Sequence, residues 1–324
     1  RRHTRYWRDW SSDVCSSDLE NKLDFEESNK NVKRDIRNLK LEDFEGIDTV
    51  VHLAALSNDP LGEFDPSLTY EINRDAAINA AKLSKEAGVR RFIFISTQSI
   101  YGISNDKFLL KESAPKNPVT AYAIAKWQAE QEILSLNSND FCSVAIRPAT
   151  VFGWGSRIRN DIIFNNLLMS GLRKNCIDVH TDGSPKRPIL YILDLVECII
   201  ELIKADLKNI GGEAFNIGLW EGNFSVEEIA KSASECLGGV PINFKTEDIK
   251  DSRTYSVDVS KLDLAINFRA KTGLKYGGEE IINNFTKLTD EQKTIYFEQT
   301  TRLDSIKKLI SEKRINNNLF WKKE

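Results

Sequence analysis

Short apolar runs rich in β-branched and aromatic residues alternate along this chain with longer, alanine-containing segments that carry charge. Phe92-Ile93-Phe94-Ile95 follows the helix-ending Gly88 and stops at Ser96-Thr97, which predicts a buried strand. Asp48 to Leu56, with Thr49, Val50 and Val51 running into Leu53-Ala54-Ala55, predicts another, and Cys142 to Ile146 a third. Helices are expected from about Asp65 to Ala87 and, after the start signals Pro118 and Thr120, through an Ala-rich stretch to about Leu136. Strands that alternate with helices in this way predict an α/β fold. Near the end, Leu303, Ile306, Leu309 and Ile310 recur at helical spacing among Asp304, Glu312 and basic residues, so Thr289 to Glu324 reads as a solvated amphipathic helix on a domain surface.

Composition narrows the classes. At 324 residues, 41% hydrophobic and 29% charged, the chain can bury a large core and build one large domain or two intertwined ones. A net charge of -3 gives no general attraction to nucleic acid or to an anionic membrane, and no nucleic-acid partner is expected. No apolar run approaches the roughly 18 residues of a membrane span, so no membrane partner is expected either. The five cysteines, at 15, 142, 176, 198 and 236, lack Cys-x-x-Cys spacing, and only three histidines are present. Reduced thiols in a cytoplasmic protein fit this pattern better than disulfides or zinc, and no metal site is expected.

The candidate chemistry lies between residues 96 and 126. Ligands in open α/β sheets sit beyond the carboxyl ends of strands, where Thr97 falls. Tyr122 and Lys126 stand four apart on the expected helix and so share a face. A phenol with a pKa near ~10 is a poor base at neutral pH, and a neighbouring cation can lower it by roughly 1–3 units. Lys126 is therefore expected to make Tyr122 a usable proton acceptor or donor. A Tyr-x-x-x-Lys spacing alone would be read as a solvated helix face. Its place about 25 residues after a strand ending in Ser-Thr changes the weight.

Ser96-Thr97-Gln98-Ser99-Ile100-Tyr101-Gly102 with Tyr122-x-x-x-Lys126 resembles the extended short-chain dehydrogenase/reductase family, the nucleotide-sugar epimerases, dehydratases and reductases. The likeness runs over about Asn31 to Leu288. It implies a Rossmann-type doubly wound parallel sheet with a smaller interleaved α/β substrate domain. It also implies NAD as cofactor, with NADP not excluded, and a nucleotide-diphospho-sugar as substrate. Thr97, Tyr122 and Lys126 would be catalytic. Asp35 and Ile36, in a stretch similar to the family's third strand, would contact the adenine. Leu53, Ala54 and Ala55 would lie against the cofactor, with Asn73 bracing the loops there. Ser96 and Pro148, the latter in Arg147-Pro148-Ala149-Thr150-Val151-Phe152-Gly153, would line the cofactor site beside Tyr122 and Lys126. On the substrate side the resemblance points to Gln98, Ser99, Asn166, Arg187 in HTDGSPKRPILYILDL and Arg253 in SRTYSVDVSK. Two guanidinium groups suit a diphosphate, which they can grip in a forked geometry. Ala214 to Gly218 resembles the last sheet strand. His52 is expected to be a packed strand residue.

The implied activity is epimerisation, with an NADPH-dependent keto-reductase as the alternative and a non-catalytic cofactor-sensing or scaffold homologue as the reading of a different class. Dehydratases of the family follow the catalytic Thr with Asp-Glu; Gln98 and Ser99 stand here, so dehydration is not expected. Residues 1–19 look foreign, and SSDVCSSDL resembles translated sequencing adapter. The family opens with a strand and a Gly-rich turn, whereas the first glycine here is Gly46. The first strands are thus expected to be missing, with 20–153 and 189–220 forming an incomplete cofactor domain and 154–188 and 221–324 the substrate domain with a C-terminal helical tail. The leader is expected to leave the edge at Thr49 to Leu53 open, and the chain as it stands to be inactive, poorly soluble and unable to hold NAD(H) or NADP(H). Its full-length parent is expected to be a homodimer.

Overall fold

The computed structural model describes residues 3–6, 34–57, 59–102, 109–155, 158–245, 254–298 and 301–322. Arg253 and residues 31–33 of the expected third strand lie outside them. Five parallel strands form the main sheet in the order β1 (His3–Tyr6), β2 (Ile47–His52), β3 (Arg91–Ile95), β4 (Cys142–Pro148) and β8 (Ala214–Ile217). Between β4 and β8 the chain forms β5 (Thr150–Phe152), β6 (Ile177–Val179) and β7 (Lys186–Tyr191). Later it forms β9 (Asn223–Ser225) and β10 (Ile242–Phe244). β5, β7 and β9 make a three-stranded sheet, and β6 pairs with β10.

The pleat explains the near-continuous apolar strands. Val50, Phe92, Phe94 and Ala145 face one core, under the helices Ala77–Glu86 and Ala121–Ser135. Val51, Ile93, Val144, Ile146 and Phe215 face another, under Leu195, Cys198, Ile199 and Leu202 of the helix Ile192–Lys204. A parallel sheet buried on both faces needs apolar residues at successive positions. A separate core gathers Phe152, Phe164, Leu168, Ile189, Tyr191, Ile229, Ile281, Phe285 and Tyr296. Neighbouring β7 residues divide between two cores, Leu190 on one side and Ile189 and Tyr191 on the other, which joins the second core to the sheet.

The expected helix from Asp65 starts with that carboxylate capping Pro66–Tyr70, passes through a wide π turn at Glu71–Ala76, and continues as Ala77–Glu86. Three expectations are corrected. From Asp35 onward the stretch read as a third strand is a tight turn, Ile36–Asn38, because the Asp35 carboxylate accepts from the Arg37 amide at 2.9 Å and closes the backbone locally. The edge beside β2 is not open: His3–Tyr6 pairs with Ile47, Thr49, Val50 and Val51, since backbone groups suffice to extend a ladder. Finally, the C-terminal helix is not merely solvated. In Arg302–Ser311 and the turns after it, Ile306, Leu309, Ile315 and Leu319 are buried in the first core against Ile36, Phe44 and Leu61.

Candidate active site

β3 delivers Ser96 and Thr97 to the carboxyl edge of the sheet. Thr97 caps the short turn Gln98–Tyr101, its hydroxyl accepting from the Ser99 amide at 3.1 Å. That turn closes at Gly102, with φ 69°, where an added Cβ would lie 2.0 Å from the Asn117 carbonyl oxygen. Glycine alone fits there.

Tyr122 is the second residue of the helix Ala121–Ser135, and its start is held from several sides. The Thr120 hydroxyl accepts from the Ala123 amide at 3.2 Å and donates to Asp59 at 2.7 Å, while the Ala121 amide donates to Glu63 at 2.6 Å. One carboxylate, Glu63, thus meets an orphan amide and a second, Asp59, meets the capping hydroxyl at a helix N-terminus, where the helix dipole favours them. Gly62, at the end of the turn Asp59–Gly62, passes so close that an added Cβ would lie 2.9 Å from the Tyr122 Cβ.

The Thr97 hydroxyl is near enough to the Tyr122 phenol to favour its ionised form. Lys126, buried one helical turn on, donates to the Ile95 carbonyl at 2.8 Å and lies 4.7 Å from the centre of the Phe94 ring. The expectation that Lys126 lowers the Tyr122 pKa is not met by this geometry. Burial pushes the phenol up to about 12; Thr97 pulls the other way, Asp59 raises it and Arg159 lowers it. An ammonium engaged with a strand carbonyl and a ring face leaves the phenol to be governed by desolvation.

The other expected residues fall into distinct places. Asn73 is fully buried in the π turn and clamps the loop after β2, accepting from the Leu56 amide at 2.7 Å and donating to the Leu56 carbonyl at 2.9 Å. Ala54 and Ala55 are buried beside it, Leu53 is exposed, and Pro148 ends β4. Asp35 pairs with Arg37 at 2.7 Å, and Ile36 sits in the first core. Ser99 is half-buried beside Thr97. Gln98 is buried and turned across the sheet, donating to the Arg147 and Ile217 carbonyls at 3.1 Å each. Asn166 is exposed and donates to the Asn160 carbonyl at 2.8 Å, whereas its neighbour Asn165 is buried and accepts from the Gly153 amide. Arg187, buried on β7, donates to the Lys186 carbonyl at 2.9 Å. His52 is a packed strand residue with its ring near Phe92 and Phe94, and burial lowers its pKa to about 3, so it is neutral at ordinary pH. Among the described residues no group of acids, histidines and cysteines could hold a metal ion.

Sequence reading missed the neighbours Ser57, Asp59, Glu63, Tyr255 and Arg302. The first three follow directly on β2, at the carboxyl edge where ligands bind, which was a usable signal. Tyr255 is felt electrostatically by Tyr122, and Arg159 donates to Ser57 at 3.2 Å while its guanidinium grips Asp161 at 2.7 Å.

A family profile decides what this arrangement belongs to: that of the NAD dependent epimerase/dehydratase family matches residues 8–218. The chain is a member of this family. It is 27% identical over 248 residues to UDP-glucuronic acid decarboxylase 1 of Arabidopsis thaliana, covering 74% of this chain and 55% of the relative. It is 32% identical over 217 residues to the dTDP-D-glucose 4,6-dehydratase of Mus musculus, covering 65% and 58%. The chain thus spans little more than half the length of these curated relatives. The fold is that of UDP-glucuronic acid 4-epimerase from Bacillus cereus, solved with UDP-glucuronic acid and NAD, at a TM-score of 0.72 and 22% identity over 91% of this chain and 90% of that one. The sheet is therefore of Rossmann type. Members of the epimerase/dehydratase family use NAD, and at the carboxyl edge of the sheet Ser96 Oγ is buried without a hydrogen-bond partner among the described residues.

Proposed function

We propose that this chain is the catalytic portion of an NAD-dependent nucleotide-diphospho-sugar epimerase. The observation that supports it most is that Thr97 at the carboxyl edge of the parallel sheet acts on the Tyr122 phenol, with Lys126 one helical turn further on donating to the Ile95 carbonyl. Bound NAD would supply the hydride acceptor and donor. The Tyr122 hydroxyl would exchange a proton with the sugar oxygen, oriented by the Thr97 hydroxyl. Lys126 would hold the ribose beside the nicotinamide. Ser96, Ala54, Ala55 and Pro148 would face the cofactor, and Arg187 and Arg253 would meet the diphosphate, for which guanidinium geometry is suited.

A phenol held near 12 keeps its proton at neutral pH, so it would accept the sugar proton only as the phenolate, which the positive charge of bound NAD would favour, and would then return that proton as an acid. Gln98 and Ser99 place no ionisable group after Thr97, so elimination of water lacks the acid and base it would need. Epimerisation or simple oxidoreduction is supported over dehydration on that ground, even with a 4,6-dehydratase among the relatives.

The test is to restore the N-terminal strand and Gly-rich turn expected to be missing, incubate that protein with NAD or NADPH and UDP-glucuronic acid or UDP-glucose, and follow the sugar by NMR. A C4 epimer formed without net NADH supports the proposal. Consumption of NADPH in proportion to product identifies the keto-reductase instead. A 4-keto-6-deoxy product, or absence of binding and turnover with both sugars, overturns it.

A further inference from the structure

The C-terminal segment touches the stretch after β5, the loop after β2 and the turn Ile36–Asn38. On the substrate side, Tyr296 stacks on Trp154 at 5.3 Å, its carbonyl accepts from Asn160 at 3.1 Å, and its hydroxyl donates to the Gly155 carbonyl at 3.4 Å. On the other side, the Arg37 guanidinium lies 3.7 Å over the Phe320 ring and donates to the Asn318 carbonyl at 2.9 Å. Between these anchors Arg302, the first residue of the helix Arg302–Ser311, donates to Ser57 Oγ at 2.7 Å.

Ser57 is shared. Its hydroxyl oxygen also accepts from Arg159 at 3.2 Å, and a hydroxyl with two lone pairs can take both donors. Both guanidinium groups act on Asp161, holding its carboxyl below the usual range against the burial that would raise it. Arg159 in turn is one of the charges that sets the proton affinity of Tyr122. A chain of hydrogen bonds therefore leads from the tail, through Ser57, to Arg159, whose charge is felt at the phenol.

We infer that Arg302 is a positioning residue of the nucleotide-sugar site: it fixes the Ser57 hydroxyl and, through it, the Arg159 guanidinium. The inference rests on the reading above that the cleft takes a nucleotide-diphospho-sugar. A guanidinium suits the task because its planar fork can serve a hydroxyl and a carboxylate at once. Without Arg302, the loop after β2 loses a charge-assisted hydrogen bond, and the Ser57 hydroxyl that accepts from Arg159 is no longer held from its other side.

Calorimetric titration with UDP-glucuronic acid and UDP-glucose tests this on four forms of the full chain: wild type, Arg302→Leu, Arg302→Lys and Ser57→Ala, with the Ser57→Ala/Arg302→Leu double variant closing a cycle. Arg302→Leu is expected to weaken binding about tenfold, the usual scale for a hydrogen bond to a charged group. Arg302→Lys should recover part of the loss, since an ammonium can still donate to Ser57. The double variant should lose little more than Ser57→Ala alone, because that substitution already breaks the Arg302 contact along with the Arg159 one. Hydrogen exchange without ligand should quicken at residues 54–57 and 159–161 in Arg302→Leu and stay unchanged in β3 and β4. Wild-type affinity in Arg302→Leu, a Lys variant no better than Leu, or independent losses in the cycle would overturn the inference. If the wild type bound neither sugar nucleotide, the proposed function would fall instead, and the exchange arm would still decide: unaltered exchange at 54–57 and 159–161 would refute the positioning role by itself.

Discussion

Two polar regions lie at the carboxyl edge of the same sheet and are built on opposite terms. In one, Arg147 of β4 pairs with the fully buried Glu130 at 2.5 Å and donates to the Tyr101 hydroxyl at 2.8 Å, which donates to Asn216 at 2.8 Å. Asn216 then donates to the Leu110 and Asp258 carbonyls, and its amide donates to Glu112. Each of these groups has a protein partner. In the other region the Ser96 hydroxyl and the Gln98 Oε1 atom are buried without one among the described residues, and the Tyr122 phenol is held at a raised pKa. Burying a polar group without a partner costs free energy, so a site that tolerates it is arranged for something other than stability. The first region reads as a brace for β4 and the loop at 110–112, the second as the place where ligand groups complete the hydrogen bonding.

The largest effect should come from breaking the brace. Glu130→Ala leaves the Arg147 guanidinium buried and uncompensated, which typically costs about 3–5 kcal/mol. Urea denaturation should show the midpoint falling sharply, and a loss below about 1 kcal/mol would mean that water reaches Arg147 and the two regions are not distinct. Tyr122→Phe should do the reverse. In the proposed epimerase it should lower kcat by ~10²-fold or more, the lower range of general acid-base catalysis, while the denaturation midpoint and sugar-nucleotide affinity hardly move. Full activity in that variant would require another proton carrier.

The two regions also differ in how far the sequence disclosed them. Phe92 to Thr97 and Tyr122 to Lys126 were legible as a strand end and a helix face because a strand of four apolar residues, its small hydroxyl end and a four-residue helical spacing are all local patterns. Asn73 was legible from the family likeness as a loop brace, though not the π turn that carries it. Arg302 was not legible, because its partner Ser57 lies 245 positions away and the helix that holds it looked like any solvated amphipathic helix. The same limit hid the burial of Ile306 and Leu309: periodicity shows that a helix has an apolar face but not what the face packs on. The Tyr122 pKa was misjudged because spacing places a cation on the right face without saying that the Ile95 carbonyl and Phe94 ring engage it.

A smaller effect should appear in acid. His52 is buried neutral, with its pKa lowered to about 3 by burial and by Lys126, against 6.5 when free. Between those values the unfolded chain binds a proton that the folded chain does not. Stability contributed by the neutral ring is therefore present above pH 6.5 and lost as pH falls toward 3, at a slope of up to about 1.4 kcal/mol per pH unit. Denaturation midpoints measured from pH 7 to 4 should fall more steeply in the wild type than in His52→Phe, whose ring keeps the contacts with Phe92 and Phe94 but does not titrate. Parallel curves would show that carboxylates elsewhere govern the acid limb.

The smallest change tests the wall behind the phenol. Gly62 approaches Tyr122 so closely that an added methyl would lie 2.9 Å from its Cβ and 3.3 Å from its amide nitrogen. Neither atom is the flexible end of a side chain, so one backbone must yield. The helix start is the part that can move, because Thr120 and Ala121 hold it to Asp59 and Glu63 by side-chain hydrogen bonds that can stretch. Gly62→Ala should displace Tyr122 from Thr97 by a fraction of an ångström and cost at most about 1–3 kcal/mol of stability, the usual price of overpacking. Catalytic positioning is more sensitive than packing, so the proposed activity should fall about tenfold with sugar-nucleotide affinity retained. Gly62→Ser should behave like Gly62→Ala, whereas Gly46→Ala, at a glycine with φ 71° and nothing within 4 Å of its Cβ position, should strain the backbone and leave turnover unchanged. Equal activity in Gly62→Ala and wild type would show that Tyr122 is located by Thr97 alone and not by the turn packed behind it.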